Sequence, residues 1–154
     1  MTSVAVQQPP SGNLPLFLHI LGAVALFGGT LALVVLGLAA RGRAAEHAPL
    51  LARVAWRTFL LLVVPAYVLT RAAAQWILDK EYPNGHEPGW VGVGFAVTDP
   101  GLIVLLAIGV AAFVARRREG RGWPPVALAI LSALYVLALG VAWFAMSAKP
   151  GGTG

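Results

Sequence analysis

The chain has 154 residues, of which 58% are hydrophobic and 11% are charged, whereas an ordinary soluble domain carries roughly 25% charged residues. This composition excludes a typical water-soluble fold, and the length suits one domain. The absence of cysteine excludes disulfides, thiolate metal sites and thiol nucleophiles. The formal net charge of +5 comes mostly from arginines near two short segments, a distribution that argues against a nucleic-acid partner.

Four segments reach or approach the roughly 20 apolar residues that a membrane-crossing helix needs. The sequence predicts spans at about 14–40, 54–78, 90–115 and 125–146, within one all-α transmembrane bundle over 14–148. The N-terminus lacks the basic region and cleavage site of a secretory signal, so we expect the first apolar run to remain as a helix. The tails, 1–13 and 149–154, are predicted to be disordered.

The basic residues predict the orientation of this bundle. Eight of the eleven lie between or just inside the ends of spans one and two, and of spans three and four: Arg41, Arg43, Arg53, Arg57, Arg116, Arg117, Arg118 and Arg121. The segment 79–87, after span two, is net acidic. By the positive-inside rule the arginine-rich segments face the cytoplasm and both termini face outward. Short connections then predict an up-down-up-down arrangement.

Span one carries a stripe of small residues. Helices in lipid pack closely where small side chains let their backbones approach. The members of the stripe recur at spacings of three and four and are Gly22, Ala25, Gly29 and Ala32. His19 precedes Gly22 by three residues, so we expect the histidine to face the bundle. In span two, Pro65 predicts a kink or an unpaired carbonyl.

Two charged residues, Arg71 and Asp99, fall inside spans. Both are expected roughly 6 to 8 Å outward of the bilayer centre, and an ion pair that fixes helix register is the favoured interpretation, with a functional pair as the alternative. Tyr67, Arg71 and Gln75 step by four along span two. Together with His19 and Asp99 they predict a polar cluster near the outer leaflet.

Asp99 and Pro100 also leave the start of span three open. An Asp before a Pro is typical of a helix N-terminus. On that interpretation, 90–98 is a re-entrant or interfacial segment and the third helix begins at Pro100.

His19 and Met146 are expected at similar depth, near the outer ends of spans one and four. An imidazole and a thioether can ligate haem iron axially, and Arg71 can pair with a propionate. The alternative is that His19 is bonded to a backbone carbonyl or to Gln75 and that Met146 is a packing residue. No histidine has partners at a spacing typical of zinc ligation, so no metal site is predicted.

The run Phe17-Leu18-His19-Ile20-Leu21-Gly22-Ala23, followed by Gly28-Gly29, resembles the first helix of CopD-like bacterial membrane proteins and of the four-span protoporphyrinogen oxidase family. In the latter family the corresponding histidine is taken to bind haem, so the resemblance implies haem b at His19. It covers roughly fifteen residues and its pattern is of low specificity. The whole chain looks like uncharacterised four-span proteins of high-GC bacteria, which implies a multi-pass protein of the bacterial inner membrane.

Three functions follow as hypotheses. The first is a non-catalytic protein that forms an oligomer or serves as an accessory subunit of a larger membrane assembly, with lipid and other subunits as partners. The second is a haem-b-binding redox protein that uses His19 with Met146, or His19 twice across a dimer, and Arg71 for a propionate. The third is a carrier of protons or a small anion that uses Arg71 and Asp99. No Ser–His pair or paired carboxylates indicate an enzyme.

Overall fold

The computed structural model of the protein describes residues 14–42, 45–81 and 89–148. This part of the chain is helical and contains no strand. Four helical stretches are long and apolar enough to cross a membrane, as the sequence predicts: Leu14–Ala39, Ala45–Lys80, Gly94–Arg117 and Pro124–Ala148. The two tails that the sequence predicts to be disordered, 1–13 and 149–154, lie outside the described residues.

The helices follow one another with short connections. Helix α1 is Leu14–Ala39, and a single 3₁₀ turn, Ala45–His47, leads into α2, Ala48–Thr58. A π-helical turn, Phe59–Val63, joins α2 to α3, Val64–Glu81. Helix α4 is Gly89–Arg117 and α5 is Pro124–Ala148. Proline stands in the first turn of α2 and of α5, where its missing N–H leaves no helical hydrogen bond unmade.

Pro65 is accommodated by the π-helical turn just before it. Proline cannot donate to the carbonyl of Leu61, four residues earlier, and its ring collides with that carbonyl in a regular helix. The chain widens instead, and the Val64 N–H donates to the Phe59 carbonyl five residues back. Helices α2 and α3 therefore form one continuous second span, which begins earlier than the predicted start at 54.

The third span is one continuous helix. Helix α4 begins at Gly89 and passes through Pro100 without a break. Pro100 removes the single hydrogen bond that its N–H would give to the Ala96 carbonyl, and its exposed position keeps the ring out of the packed interior. The structure therefore has no separate re-entrant segment over 90–98, and Asp99 lies inside a helix.

Contacts between spans show that neighbouring helices run in opposite directions. Helix α1 packs against α3 and α5, and α4 packs against α5. Along α1, Gly22 meets Thr70 whereas Gly29 meets Val63, so α1 and α3 are antiparallel. Helix α5 also runs against α4, because Gly94 meets Met146 and Gly101 meets Tyr135.

Small residues of α1 are where the backbones approach most closely. A Cβ added at Gly22 would lie 2.8 Å from the Thr70 backbone nitrogen, and one at Gly37 would lie 2.6 Å from the Pro125 carbonyl. Gly22 and Gly29 are buried, and Ala25 and Ala32 are half-buried beside them. The stripe is thus used inside the bundle. Gly37 lies eight residues after Gly29, on the same side of α1, and was not included in the prediction.

The second span diverges from α4 along its length. At one end the Phe59 ring lies where a Gly109 side chain would be, and α2 packs against α4. Farther along, the described residues of α3 and α4 do not form a close helix–helix contact. The resulting gap is called the α3–α4 opening below.

Candidate functional site

Arg71 bridges the α3–α4 opening. Its Nε donates to Asp99 Oδ1 over 3.2 Å, and its Nη1 donates to Gln75 Oε1, also over 3.2 Å. The guanidinium carbon lies 4.5 Å from the centre of the Phe95 ring, within the range of a cation–π interaction. One side chain of α3 therefore makes an ion pair and an aromatic contact with α4.

The polar contacts continue toward the end of α3. Gln75 Nε2 donates to Asp79 Oδ1 over 3.1 Å, so Arg71, Gln75 and Asp79 form a ladder at four-residue spacing on one helix face. Tyr67 extends this face by one turn, four residues before Arg71. We call Tyr67, Arg71, Gln75, Asp79 and Asp99 the Arg71 cluster. Asp79 was missed by the sequence interpretation, although the step of four leads to it.

The Arg71 cluster lies on the surface of the bundle. The side chains of Arg71 and Asp99 are 32% and 56% exposed. Beside them is an open groove of about 450 Å³, lined by Tyr67, Val68, Arg71, Ala72 and Gln75. The sequence predicts a polar cluster of five residues, and the structure brings four of them, Tyr67, Arg71, Gln75 and Asp99, into one group without His19. The group faces outward from a single copy of the chain.

His19 is hydrogen-bonded to the backbone of α3. Its Nδ1 lies 3.1 Å from the Thr70 carbonyl oxygen. A carbonyl only accepts, so Nδ1 carries the hydrogen and Nε2 of the neutral ring keeps its lone pair. The partner of His19 is therefore a backbone carbonyl and not Gln75, which binds Arg71 and Asp79.

Met146 packs against α4. Its terminal methyl occupies the place that a side chain at Gly94 would take. His19, near the start of α1, and Met146, near the end of α5, lie at the same end of the bundle, as the antiparallel contacts require. Each has its own neighbour, α3 for the histidine and α4 for the methionine.

Two buried hydroxyls lie on α5 behind the cluster. Within the described residues, Ser132 Oγ and Tyr135 Oη have no hydrogen-bond partner, whereas Thr30 and Thr70 donate to carbonyls of their own helices. The Tyr135 ring packs on Gly101 of α4.

No group of three histidine, aspartate or glutamate side chains that could hold a metal ion occurs in residues 14–42, 45–81 and 89–148. His47 Nε2 lies 3.4 Å from Glu46 at an exposed position. His86 lies outside the described residues.

Comparison with known protein families, with curated proteins and with solved structures gives no match to this chain. The resemblance of the first span to CopD-like proteins and to the four-span protoporphyrinogen oxidase family therefore stays a prediction. Function has to be argued from the geometry above.

Proposed function

We propose that this protein is a small polytopic protein of the bacterial inner membrane that acts as an oligomer or as an accessory subunit of a larger membrane assembly. The Arg71 cluster is the surface that meets the partner. The arginine-rich segments face the cytoplasm and both termini face outward, in accord with the positive-inside rule. The Arg71 cluster then lies in the outer half of the membrane.

The exposure of the Arg71–Asp99 pair is the observation that carries this proposal. Arg71 lies ten residues before Glu81, the last residue of α3, which corresponds to about 15 Å along the helix. A charged side chain at the centre of a membrane span costs about 2.5 to 3.5 kcal/mol on insertion scales. Pairing lowers this cost, but the α3–α4 opening leaves both side chains partly uncovered. Polar groups of a partner helix would cover them.

The remaining surface supports this choice of face. Many large apolar side chains are exposed on the helices, among them Leu31, Leu61, Ile103, Leu137 and Phe144, as expected where a helix meets lipid. Gly22, Gly29 and Gly37 of α1 are buried against the second and fourth spans and are not free to bind a second chain. A partner with polar groups would therefore gain the most binding free energy at the α3–α4 opening, where it covers the Arg71–Asp99 pair.

Photo-crosslinking tests the proposal. Benzoylphenylalanine replaces Val68, which lines the groove and is 58% exposed, or Leu134 of α5, which is 56% exposed. Irradiation is carried out in native membranes and in liposomes that contain only this protein. We expect a protein adduct at position 68 and only lipid adducts at position 134. An adduct in liposomes identifies a second copy as the partner, and one found only in native membranes identifies another subunit.

Arg71→Gln is the accompanying variant. It should abolish the adduct at position 68, because the partner is held by the cluster and the variant removes the arginine on which the cluster is built. Equal protein adducts at positions 68 and 134, or an adduct that Arg71→Gln leaves unchanged, would refute the assignment of this face.

A haem-b-binding redox protein is the second candidate. The observation in its favour is the bond from His19 Nδ1 to the Thr70 carbonyl, since a backbone carbonyl on one ring nitrogen orients the other as a metal ligand. His19 Nε2 would be the axial ligand. Ligation by Met146 would require its side chain to leave Gly94. Haem would supply one-electron chemistry, and Arg71 would hold a propionate.

Visible absorption of the purified protein tests this second candidate. A Soret band that sharpens on dithionite reduction and disappears in His19→Ala supports it. A colourless protein from haem-replete cells, or a band retained in His19→Ala, would rule out His19 as the ligand.

A further inference from the structure

A second groove lies between α2 and α4, at the end of the bundle that carries most of the arginines. It has a volume of about 220 Å³ and is lined by Arg53, Trp56, Arg57, Leu60, Leu61 and Arg116. We call it the Trp56 groove. It shares no residue with the Arg71 cluster and lies in the opposite half of the molecule.

Aromatic rings make the back of the Trp56 groove rigid. The Trp56 ring is stacked on Phe59, with centroids 6.1 Å apart, and lies 5.3 Å from Phe113 of α4. Phe59 is buried against Gly109. Arg117 lies over the outer face of Phe113, with its guanidinium carbon 5.0 Å from the ring centre. The spacing between α2 and α4 is thus fixed by packed rings.

The mouth of the groove carries three exposed guanidinium groups, those of Arg53, Arg57 and Arg116. None of them pairs with a carboxylate in the part of the chain that the structure describes. The ion pairs found there join other residues: Glu46 with His47, Asp99 with Arg71, and Glu119 with Arg121. Arg53 Nε donates to the Pro49 carbonyl, which fixes the base of its side chain. The mouth therefore has a net positive charge.

The inner part of the groove is apolar and points along the span. Leu60 is 42% exposed and Leu61 is 76% exposed. These leucines follow the arginines toward the middle of the apolar stretch. A ligand that matches the whole groove has an anionic head and a hydrocarbon tail. A free anion would use the guanidinium groups and leave the leucines without a partner.

We propose that the Trp56 groove binds one anionic phospholipid of the surrounding leaflet. Guanidinium groups donate paired hydrogen bonds to phosphate oxygens. Arg57 and Arg116 clamp the phosphate from two helices, and an acyl chain lies along Leu60 and Leu61. The bound lipid bridges α2 and α4. This inference requires the chain to lie in a membrane but does not depend on the partner of the Arg71 cluster.

Native mass spectrometry of the full chain in mild non-ionic detergent tests this proposal, with phosphatidylglycerol or phosphatidylcholine added in equal amounts. We expect one phosphatidylglycerol to be retained in preference to phosphatidylcholine. Arg57→Gln/Arg116→Gln should weaken retention by about 30-fold, because each basic residue near an anionic headgroup contributes about a factor of five.

Arg118→Gln/Arg121→Gln is the matched control, because it removes the same charge from the same end of the molecule outside the groove. It should retain phosphatidylglycerol as the unsubstituted chain does. Circular dichroism and gel filtration check that each variant is folded. If the double variant aggregates, Arg116→Gln alone serves, with an expected loss of about fivefold.

Three results would overturn the proposal. Equal loss in the control variant would indicate a general effect of surface charge. Equal retention of phosphatidylcholine would show that the headgroup charge is not recognised. Displacement of the lipid by millimolar inorganic phosphate would assign the arginines to a free anion. Each of these results leaves the photo-crosslink at position 68 unaffected, so a failure here is distinct from a failure of the proposed function.

Discussion

Arg71 combines three roles that are usually divided among several side chains. It pairs with Asp99, bonds to Gln75 and lies over Phe95, and these groups come from both sides of the α3–α4 opening. In the proposed membrane location, removal of the arginine leaves the Asp99 carboxylate with its charge uncompensated. We therefore expect the two charged residues to be strongly coupled in stability.

A double-mutant cycle measures this coupling. Arg71→Gln and Asp99→Asn should each lower the free energy of unfolding, and the double variant should lose less than the sum of the two, with a coupling of about 1 kcal/mol or more. The reason is that each single substitution leaves one charge without its partner, whereas the double substitution leaves none. Reversible unfolding by sodium dodecyl sulfate in mixed micelles provides the measurement.

Glu119 and Arg121 provide the control pair for that cycle. Their closest charged atoms lie 3.7 Å apart, and their side chains are 62% and 82% exposed in the connection between α4 and α5. An exposed pair of this kind contributes between about 0 and 1 kcal/mol. Glu119→Gln and Arg121→Gln should therefore be close to additive. Additive effects at Arg71 and Asp99 as well would contradict the membrane location of that pair.

At the scale of the helices, two glycines of α1, Gly22 and Gly28, differ in how closely other atoms approach them. Gly22 faces the backbone of α3, with Thr70 atoms 2.6 and 2.8 Å from the position of an added Cβ, whereas nothing lies within 4 Å of that position at Gly28. Close approach to a neighbouring helix is therefore required at Gly22 and not at Gly28.

Gly22→Ala and Gly28→Ala form a matched pair. Gly22→Ala should destabilise the bundle by about 1 to 3 kcal/mol, the usual cost of overpacking. Gly28→Ala should be neutral or stabilise it by up to about 1 kcal/mol, because alanine is the better helix former. Thermal unfolding in detergent, followed by circular dichroism, distinguishes the two. Similar changes in both variants would mean that α1 and α3 are not packed through Gly22.

The connection between α4 and α5 depends on two glycines with positive φ. Gly120 has φ +74 and Gly122 has φ +80. A Cβ at Gly120 would also lie 2.7 Å from the Ala48 carbonyl oxygen, whereas the closest atom at Gly122 would be 3.7 Å away. Gly122→Ala should cost about 1 to 2 kcal/mol from backbone strain, and Gly120→Ala should cost more. The same thermal measurement applies, and a larger effect at Gly122 would contradict this packing of the connection on α2.

The element scale also shows which features the sequence could predict. Long apolar runs predict four candidate spans because each approaches the roughly 20 apolar residues that crossing a bilayer requires, and regular spacing places Gly22 and Gly29 on one face. The π-helical turn before Pro65 could not be predicted, because a kink or an unpaired carbonyl satisfies the same constraint. Helix α4 continues through Pro100 because neighbouring helices support it. The local sequence at Asp99 and Pro100 indicates a helix start and carries no information about that support.

The candidate site divides in the same way. The step of four from Tyr67 to Arg71 and Gln75 is a property of one helix, so it could be read directly, and Asp79 would have followed from one further step. The exposure of the Arg71 cluster depends on how far α3 diverges from α4. That divergence is a matter of tertiary packing, including the packing of Phe59 on Gly109, and could not be predicted from the spacing of residues in one helix. The Trp56 groove arises from the same packing.

At the scale of the whole molecule, the Trp56 groove and the Arg71 cluster lie toward opposite ends of the bundle. The Trp56 groove lies where α2 approaches α4, and the Arg71 cluster lies where α3 leaves it. Arg41 Nη1 donates to the Gly122 carbonyl over 2.8 Å, so the connection after α1 is tied to the connection before α5. The π-helical turn of the second span, Phe59–Val63, lies between the two openings.

Cysteine accessibility tests the orientation of this arrangement, and the natural absence of cysteine makes every introduced thiol unique. Ser147→Cys, near the end of α5, should react with a membrane-impermeant maleimide in intact spheroplasts. Gly42→Cys, in the turn after α1, should react only after detergent is added, because arginine-rich segments are retained in the cytoplasm. Both positions are exposed and neither substitution changes a charge. The reverse pattern would place the Arg71 cluster in the cytoplasmic half of the membrane and would direct the search for its partner to the other leaflet.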